Sequence, residues 1–260
     1  MSKRFDNILI LSDFDGTFAG KSTRIVDRNL EAIKRFQEKG GKFTFCTGRL
    51  PSMMKIVYPD FPSVVNAPLI MCNGAIIFDA KEDKIIEEGF FDGVQGRKDI
   101  KEIISKYPEI SLACYTDDGK YQAVDTVDDI VGNKWRKINL TFKSMEAAHS
   151  ARAFINENYG DKYMAFRSSY SFCECVDKNV SKGKRIAYMK NYYAERGIDD
   201  LIVYAIGDYE NDIDMLLKAD KSFCPSNAID EVKEICDDIL CDHDEGAIAD
   251  LIEKIENNDL

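Results

Sequence analysis

Two aspartates two residues apart, Asp13 and Asp15, stand in the run Ser12-Asp13-Phe14-Asp15-Gly16-Thr17-Phe18, just past a short apolar stretch. In an open parallel sheet ligands bind beyond the carboxyl ends of the strands. Period-two geometry would aim both carboxylates at one face, and Gly16 would let the backbone turn sharply after them. Alone, the segment also reads as an ordinary polar turn, where Asp and Gly are common. Three other stretches change the balance. Phe45-Cys46-Thr47-Gly48-Arg49 closes a second strand-like run with a hydroxyl and a glycine. These could hold a phosphate oxygen by side chain and backbone N–H, although a plain strand-to-helix cap would look the same. Val180-Ser181-Lys182-Gly183 places a lysine at a helix start, where the helix dipole disfavours a cation by roughly a few tenths of a kcal/mol. The bland reading is a surface lysine; the functional one is a partner for a bound anion. Ala205-Ile206-Gly207-Asp208-Tyr209-Glu210-Asn211-Asp212 packs three acids and an amide around a strand-to-helix turn. Asp208 and Asp212, four apart, could share a face; helix capping would employ one or two of these acids but hardly all of them.

These groups need elements to hold them. Asn7–Ser12 is a short apolar run, read as a strand. Asp27–Lys39 carries Leu30, Ile33 and Phe36 at helical spacing and stops at Gly40-Gly41, a fitting end for a helix. Lys42–Cys46 reads as a strand, Ser52–Tyr58 as a short helix and Pro68–Cys72 as a third strand. The turn Asn73-Gly74 and the run Ala75–Phe78 follow. Strand and helix in alternation imply a parallel sheet with helices on its faces. The middle of the chain has another rhythm: a helix over Asp99–Lys106, a hairpin of Ser111–Thr116 and Tyr121–Val124, a strand Ile138–Phe142, a helix Met145–Asn158, and strands Tyr163–Arg167 and Phe172–Val176. That predicts a smaller antiparallel α+β unit. From Ser181 the first rhythm returns, with a helix to about Arg196, a strand Leu201–Ile206, a helix Asn211–Leu217, a strand Ser222–Cys224, a helix Ile229–Cys236, a strand Asp238–Cys241 and a last helix Gly246–Ile255. The simplest architecture is one α/β domain, residues 1–80 and 179–260, split by an inserted module, residues 81–178.

Composition fits this reading. The chain has 260 residues, 45% hydrophobic and 31% charged, the profile of a globular protein with a sizeable core. No apolar run approaches the roughly 20 residues of a membrane span. The first strand starts so early that no room is left for a signal peptide, and a cytoplasmic location is expected. The eight scattered cysteines form no Cys-x-x-Cys pair and read as reduced, buried thiols. A formal net charge of −11 repels nucleic acid and anionic lipid, so neither is an expected partner. It also repels a phosphorylated substrate, which local cations must then capture. Residue inventory excludes some phosphatase chemistries. No cysteine has an arginine six positions on, and the two histidines, His149 and His243, lie in no motif. Gly16–Ser22 resembles a phosphate-binding P-loop, but its spacer is one residue short.

Asp-x-Asp-Gly-Thr, Thr-Gly-Arg, Ser-Lys-Gly and Gly-Asp-x-x-Asn-Asp, in that order and each at a strand end or helix start, resemble the haloacid dehalogenase-like hydrolases, most nearly the Cof-type (subfamily IIB) phosphatases. Met71-Cys72-Asn73-Gly74-Ala75-Ile76-Ile77 and Pro225-Ser226-Asn227-Ala228 are similar to further family segments. The likeness spans almost the whole chain. Phe14 and Phe18-Ala19 depart from the leucines usual there, and neither removes a reacting group. The resemblance implies a Rossmann-like parallel-sheet core with an inserted α+β cap of type C2B. It implies a Mg²⁺-dependent phosphatase acting on small phosphorylated metabolites through an aspartyl phosphate, and a monomer is expected. Asp13 would be the nucleophile and Asp15 the general acid and then base. Asp13, the carbonyl of Asp15 and Asp208 would hold Mg²⁺, with Asp212 anchoring it. Thr47, Gly48, Lys182 and Asn211 would bind the phosphoryl group, and the cap would contact the leaving group. Trp135, Arg136, Tyr115 and Tyr170 are candidates for that contact, with roles in the cap's own core or surface as the alternative. Two other readings stay open: a phosphosugar mutase of the same superfamily, and a binding or regulatory protein that keeps the fold without turnover.

Overall fold

The computed structural model describes residues 4–107 and 110–259. Its strands are, in chain order, β1 (Ile8–Ser12), β2 (Lys42–Phe45), β3 (Leu69–Met71), β4 (Ile76–Asp79), β5 (Lys84–Glu88), β6 (Phe91–Asp92), β7 (Ser111–Thr116), β8 (Tyr121–Val124), β9 (Lys134–Thr141), β10 (Tyr163–Arg167), β11 (Phe172–Asp177), β12 (Ile202–Ile206), β13 (Lys221–Pro225) and β14 (Asp238–Leu240). The chain divides into two compact units, one running up to Ile86 and resuming at Lys182, the other Glu87–Ser181.

In the first unit β14, β13, β12, β1 and β2 lie side by side, all parallel. A single parallel bridge, Cys46 to Ile70, carries the sheet on towards β3, which pairs antiparallel with β4. β1 is buried along its whole length, as befits a central strand covered on both faces. One face is covered by the helices Asp27–Glu38 and Ala247–Asn257, which contact each other. They bury Ala32, Ile33 and Phe36 from the first, and Ile248, Leu251 and Ile252 from the second. A second apolar cluster takes in Leu9, Leu11, Val203 and Ala205 of the central strands. It also includes Ile186 and Met189 from the helix Lys184–Ala194, and Met215 and Leu216 from the helix Ile213–Lys218. This is the doubly wound α/β architecture that the strand–helix alternation predicts.

The second unit is an antiparallel sheet in the order β10, β11, β9, β7, β8, with the short β6 also paired to β9. Alternate strand residues, among them Leu112, Cys114, Ile138, Leu140, Ala165, Cys173 and Cys175, join Ile100, Ile103, Ala151 and Ile155 from the helices Gly93–Lys106 and Met145–Tyr159 in one core. Two elements begin earlier than expected. The helix starts at Gly93, where the Asp92 carboxylate accepts the Val94 N–H at 2.8 Å. A Cβ at position 93 would lie 2.6 Å from the Trp135 indole nitrogen, so a poor helix former is kept for want of space. Strand β9 begins at Lys134 because its charged residues are neutralised locally. Arg136, 1% exposed, donates to Glu88 at 2.6 Å and to the Thr116 and Asp117 carbonyls, and Lys137 pairs with Glu174 at 2.8 Å. Trp135 and Tyr115 are likewise buried inside this unit, while Tyr170 is exposed. All eight cysteines are free thiols, six of them buried. No helix among the described residues is long and apolar enough to cross a membrane.

Candidate active site

Three strand ends meet where the chain order of the parallel sheet reverses. β2 lies on one side of β1 and β12 on the other, the place where open α/β sheets leave a crevice. Asp13 N–H donates to the Ile206 carbonyl at 2.9 Å and Cys46 N–H to the Ser12 carbonyl at 2.8 Å, so Asp13 is flanked by the Gly207-Asp208 and Cys46-Thr47 segments. Strand pairing of β1 stops at Ser12, and the period-two alternation stops with it. The next residues form a tight loop, closed by Ala19 N–H to the Phe14 carbonyl (2.8 Å) and Gly16 N–H to the Ala19 carbonyl (3.0 Å). Phe14 and Phe18, both fully buried, pin this loop from below. Phe14 meets Phe45 edge-on at 5.4 Å and Phe18 meets it at 4.8 Å, with Phe43 and Tyr58 completing the cluster. Gly16 has φ of 81°, and a Cβ there would come 2.5 Å from Oδ2 of Asp208; both the turn and the approach require glycine.

Above that loop sits a cluster of opposite charges. Lys182 lies just before its helix, not within it, and its side chain is fully buried. Nζ is 2.5 Å from Oδ1 of Asp13 and 2.6 Å from Oδ1 of Asp212. The surface reading of Lys182 is therefore overturned: two buried carboxylates hold it. Asp212 uses its other oxygen to accept the N–H groups of Asp208 (3.1 Å) and Tyr209 (3.2 Å). Asp208 accepts the Thr17 hydroxyl at 2.7 Å. One carboxylate oxygen from each of Asp13, Asp208 and Asp212 lies within 4.8 Å of the others. Burial pushes the Asp13 carboxyl up; Lys182 pulls it back; Asp212, Asp208 and Asp15 push it up again, and it ends well above the ordinary range. Burial, reinforced by Asp212, lifts Asp208 to about 7. Burial alone would lower the Lys182 ammonium, but Asp13 and Asp212 outweigh it and hold the group charged. Three carboxylates against one ammonium leave the cluster short of positive charge. Its hard oxygen donors, with no thiolate or imidazole among them, fit an ion such as Mg²⁺.

The remaining sequence-predicted residues divide into two places. Asp15 stands outside the three-carboxylate cluster and grips Arg49 with both oxygens, at 2.6 and 2.7 Å, its side chain 48% exposed. Thr47 is fully buried; its main chain bonds to Ile70 and Asn73, and its hydroxyl oxygen accepts the Arg49 N–H at 3.2 Å. Gly48 lies against the Asn73 side chain, and Asn211 donates to Oδ1 of Asn73 at 3.3 Å. Arg49, Asn73, Thr17 and Asn227 are partners that sequence reasoning assigned no role. Arg49, Asn73 and Thr17 stand inside the sequence motifs themselves. Asn227 donates to the Gly16 carbonyl at 2.8 Å, and only its membership of the Pro-Ser-Asn-Ala segment hinted at it.

A family model described as haloacid dehalogenase-like hydrolase matches residues 10–130 and 120–252. Among curated relatives, a 5-amino-6-(5-phospho-D-ribitylamino)uracil phosphatase of Bacillus subtilis is 25% identical, the match covering 95% of this chain and 97% of that protein. A phosphoglycolate phosphatase of Sulfurisphaera tokodaii is 28% identical over 96% of this chain and 95% of its own. Among solved structures, a HAD subclass IIB sugar phosphatase superposes with a TM-score of 0.75 at 17% identity, covering 95% of this chain and 98% of that one.

Proposed function

The chain belongs to the haloacid dehalogenase-like hydrolases, and from that footing we propose that it is a Mg²⁺-dependent phosphatase of small phosphorylated metabolites, sugar phosphates or phosphorylated cofactors, working through an aspartyl phosphate. The observation that carries the reading is Lys182, wholly buried and shared between Asp13 and Asp212 beside a third carboxylate, Asp208. A purely structural core has no use for so many buried like charges, each of which is costly to remove from water.

Asp13, Asp208 and the main-chain carbonyl of Asp15 would hold Mg²⁺, with Asp212 fixing Asp208 through its backbone N–H. When bound, the ion would offset the charge of a phosphate dianion beside a carboxylate. Lys182 would do the same from the other side, neutralising the nucleophile and one phosphoryl oxygen. Thr47, the Gly48 N–H and Asn211 would orient the remaining oxygens. Asp13 attacks phosphorus; the P–O bond to the leaving alcohol breaks, and Asp15 supplies the alcohol's proton. Asp15 then takes a proton from water as that water attacks phosphorus and frees Asp13. Both Asp15 oxygens are taken by Arg49 in the structure, so Asp15 must leave that guanidinium before it can hand a proton to the leaving group. The inserted unit, Glu87–Ser181, would set the choice of leaving group.

The test is a panel of phosphorylated metabolites, phosphoglycolate and phosphoribityl compounds included, incubated with purified protein and Mg²⁺ without any bisphosphate activator. Inorganic phosphate should appear from one or more, cease on chelation and return with Mg²⁺. Full activity after exhaustive chelation, or isomerised sugar phosphate in place of free phosphate, would refute the reading.

A further inference from the structure

The loop that follows edge strand β14 gathers a second set of metal-ligating side chains that the proposed chemistry does not use. Asp242, His243 and Asp244 each place one donor atom within 4.8 Å of the others. The His243 Nε2 is 3.6 Å from Oδ1 of Asp244 and 3.9 Å from Oδ1 of Asp242. His243 is 92% buried, 8% of its surface being exposed. Neither of its ring nitrogens has a hydrogen-bond partner among the described residues. A buried imidazole without any partner is unusual, because each stranded polar atom costs roughly 1–3 kcal/mol. The separations are too long for hydrogen bonds to the flanking carboxylates. The two imidazole-to-carboxylate separations are near what a shared ion produces: donors about 2.0–2.2 Å from one centre lie roughly 3–3.5 Å apart, a few tenths of an ångström closer than here.

The geometry points to a second divalent-cation site at Asp242, His243 and Asp244, separate from the Asp13–Asp208–Asp212 cluster and suited to a first-row transition ion such as Zn²⁺. An imidazole with two carboxylates matches that class, whereas Mg²⁺ keeps to oxygen donors. Two carboxylates and a neutral imidazole carry the charge that one such ion cancels. The carboxylates are held for the purpose by backbone donors, Asp242 by Asp244 N–H at 2.9 Å and Asp244 by Lys21 N–H at 3.0 Å. An ion here would also tie the loop to the catalytic turn. His243 N–H donates to Oδ1 of Asn227 at 3.1 Å, and the same amide donates to the Gly16 carbonyl at 2.8 Å.

The experiment uses the full-length protein, stripped by chelator, resupplied with excess Mg²⁺ and titrated with Zn²⁺ alone by calorimetry, with thermal melting alongside. Wild type should take up one more equivalent of Zn²⁺ than His243→Asn, and Zn²⁺ should raise its melting temperature more. Asp244→Asn, which keeps the imidazole and the shape, should bind about tenfold more weakly or worse; it also stands in should His243→Asn fail to fold. With Cu²⁺ as probe, pulsed EPR should show imidazole nitrogen coupling in wild type and in His149→Asn, and none in His243→Asn. Equal Zn²⁺ uptake by wild type and both loop variants, no uptake by wild type at all, or nitrogen coupling that follows His149 would each overturn the site.

Discussion

Asp13 and Asp15 carry the same side chain in different company. Asp13 is buried against a lysine, and Asp15 is half in solvent and clasped by a guanidinium. Position alone can give them different work. Asp13→Asn puts an amide in place of the proposed attacking oxygen and should leave no measurable turnover. Asp15→Asn should lower turnover by about 10²–10⁴-fold, unevenly over the two steps. An aryl phosphate has a leaving group that needs little protonation, so phosphorylation should proceed while hydrolysis stalls. Mass spectrometry should then find one added phosphoryl group on the peptide bearing Asp13 in Asp15→Asn, and none in Asp13→Asn. A label on Asp15, or outside residues 7–21, would reassign the nucleophile. The carboxylates and the lysine that the structure brings together were legible because such chemistry restricts residue types, and because each falls at a strand end or a helix start. The Asp15–Arg49 grip was not. A bidentate pair between residues 34 apart depends on how two loops face each other, and spacing carries no trace of it.

At the scale of elements, periodicity located most strands and helices, and polar residues hid the rest. The helix expected from Asn211 opens instead with a 3₁₀ turn, Glu210–Asp212, before Ile213–Lys218. Asp212 is bonded back to the Asp208 and Tyr209 N–H groups, which competes with regular helix geometry. Phe14 and Phe18, departures from the usual leucines, have their reason in the rings of Phe43, Phe45 and Tyr58. Each such aromatic pair is worth about 0.5–1.5 kcal/mol beyond its burial. In the inserted unit, Asp99 fastens the helix Gly93–Lys106 to β10, accepting from the Tyr163 hydroxyl (2.6 Å), Lys162 (3.0 Å) and Gln95 (2.8 Å). Burial works to raise its carboxyl, but these three donors prevail and hold it below the ordinary value. A depressed carboxyl contributes stability that is present above its unfolded value of about 3.9. That stability is lost as pH falls through the lower folded value. Asp99→Asn should therefore destabilise the unit by about 1–3 kcal/mol at neutral pH, a deficit that shrinks as pH drops below about 4. Trp135, the chain's one tryptophan, lies in this core, so its fluorescence during urea unfolding reads the effect. A deficit that stays constant from pH 7 to pH 3 would exclude the carboxylate's charge as its cause.

The whole molecule carries a formal charge of −11, and a phosphate dianion must enter that field before the buried cations can act on it. Long-range repulsion fades as the Debye length shrinks from about 30 Å at 0.01 M to about 10 Å at 0.1 M salt, whereas contacts inside the site are screened much less. With Mg²⁺ saturating, kcat/KM for a dianionic substrate should rise with added monovalent salt over that range, by a factor on the order of two or more. A steady fall would mean that a positive local field, not the net charge, governs capture. The site's wiring has a further consequence in time. Lys182 stands 169 residues after Asp13, and β12 must settle beside β1, pairing Ile8 with Ile202, before Asp208 is in place. During synthesis at roughly 5–20 residues per second, Asp13 waits about 8–35 s for its ammonium. The whole of Glu87–Ser181 emerges in that interval and can find its own partners. The early strand β1, by contrast, has no neighbour on one side until β12, in the last third of the chain, is made. A ribosome that stalls before Lys182, or a protease that trims the carboxyl-terminal third, yields a polypeptide that keeps Asp13 and lacks the ammonium that holds it.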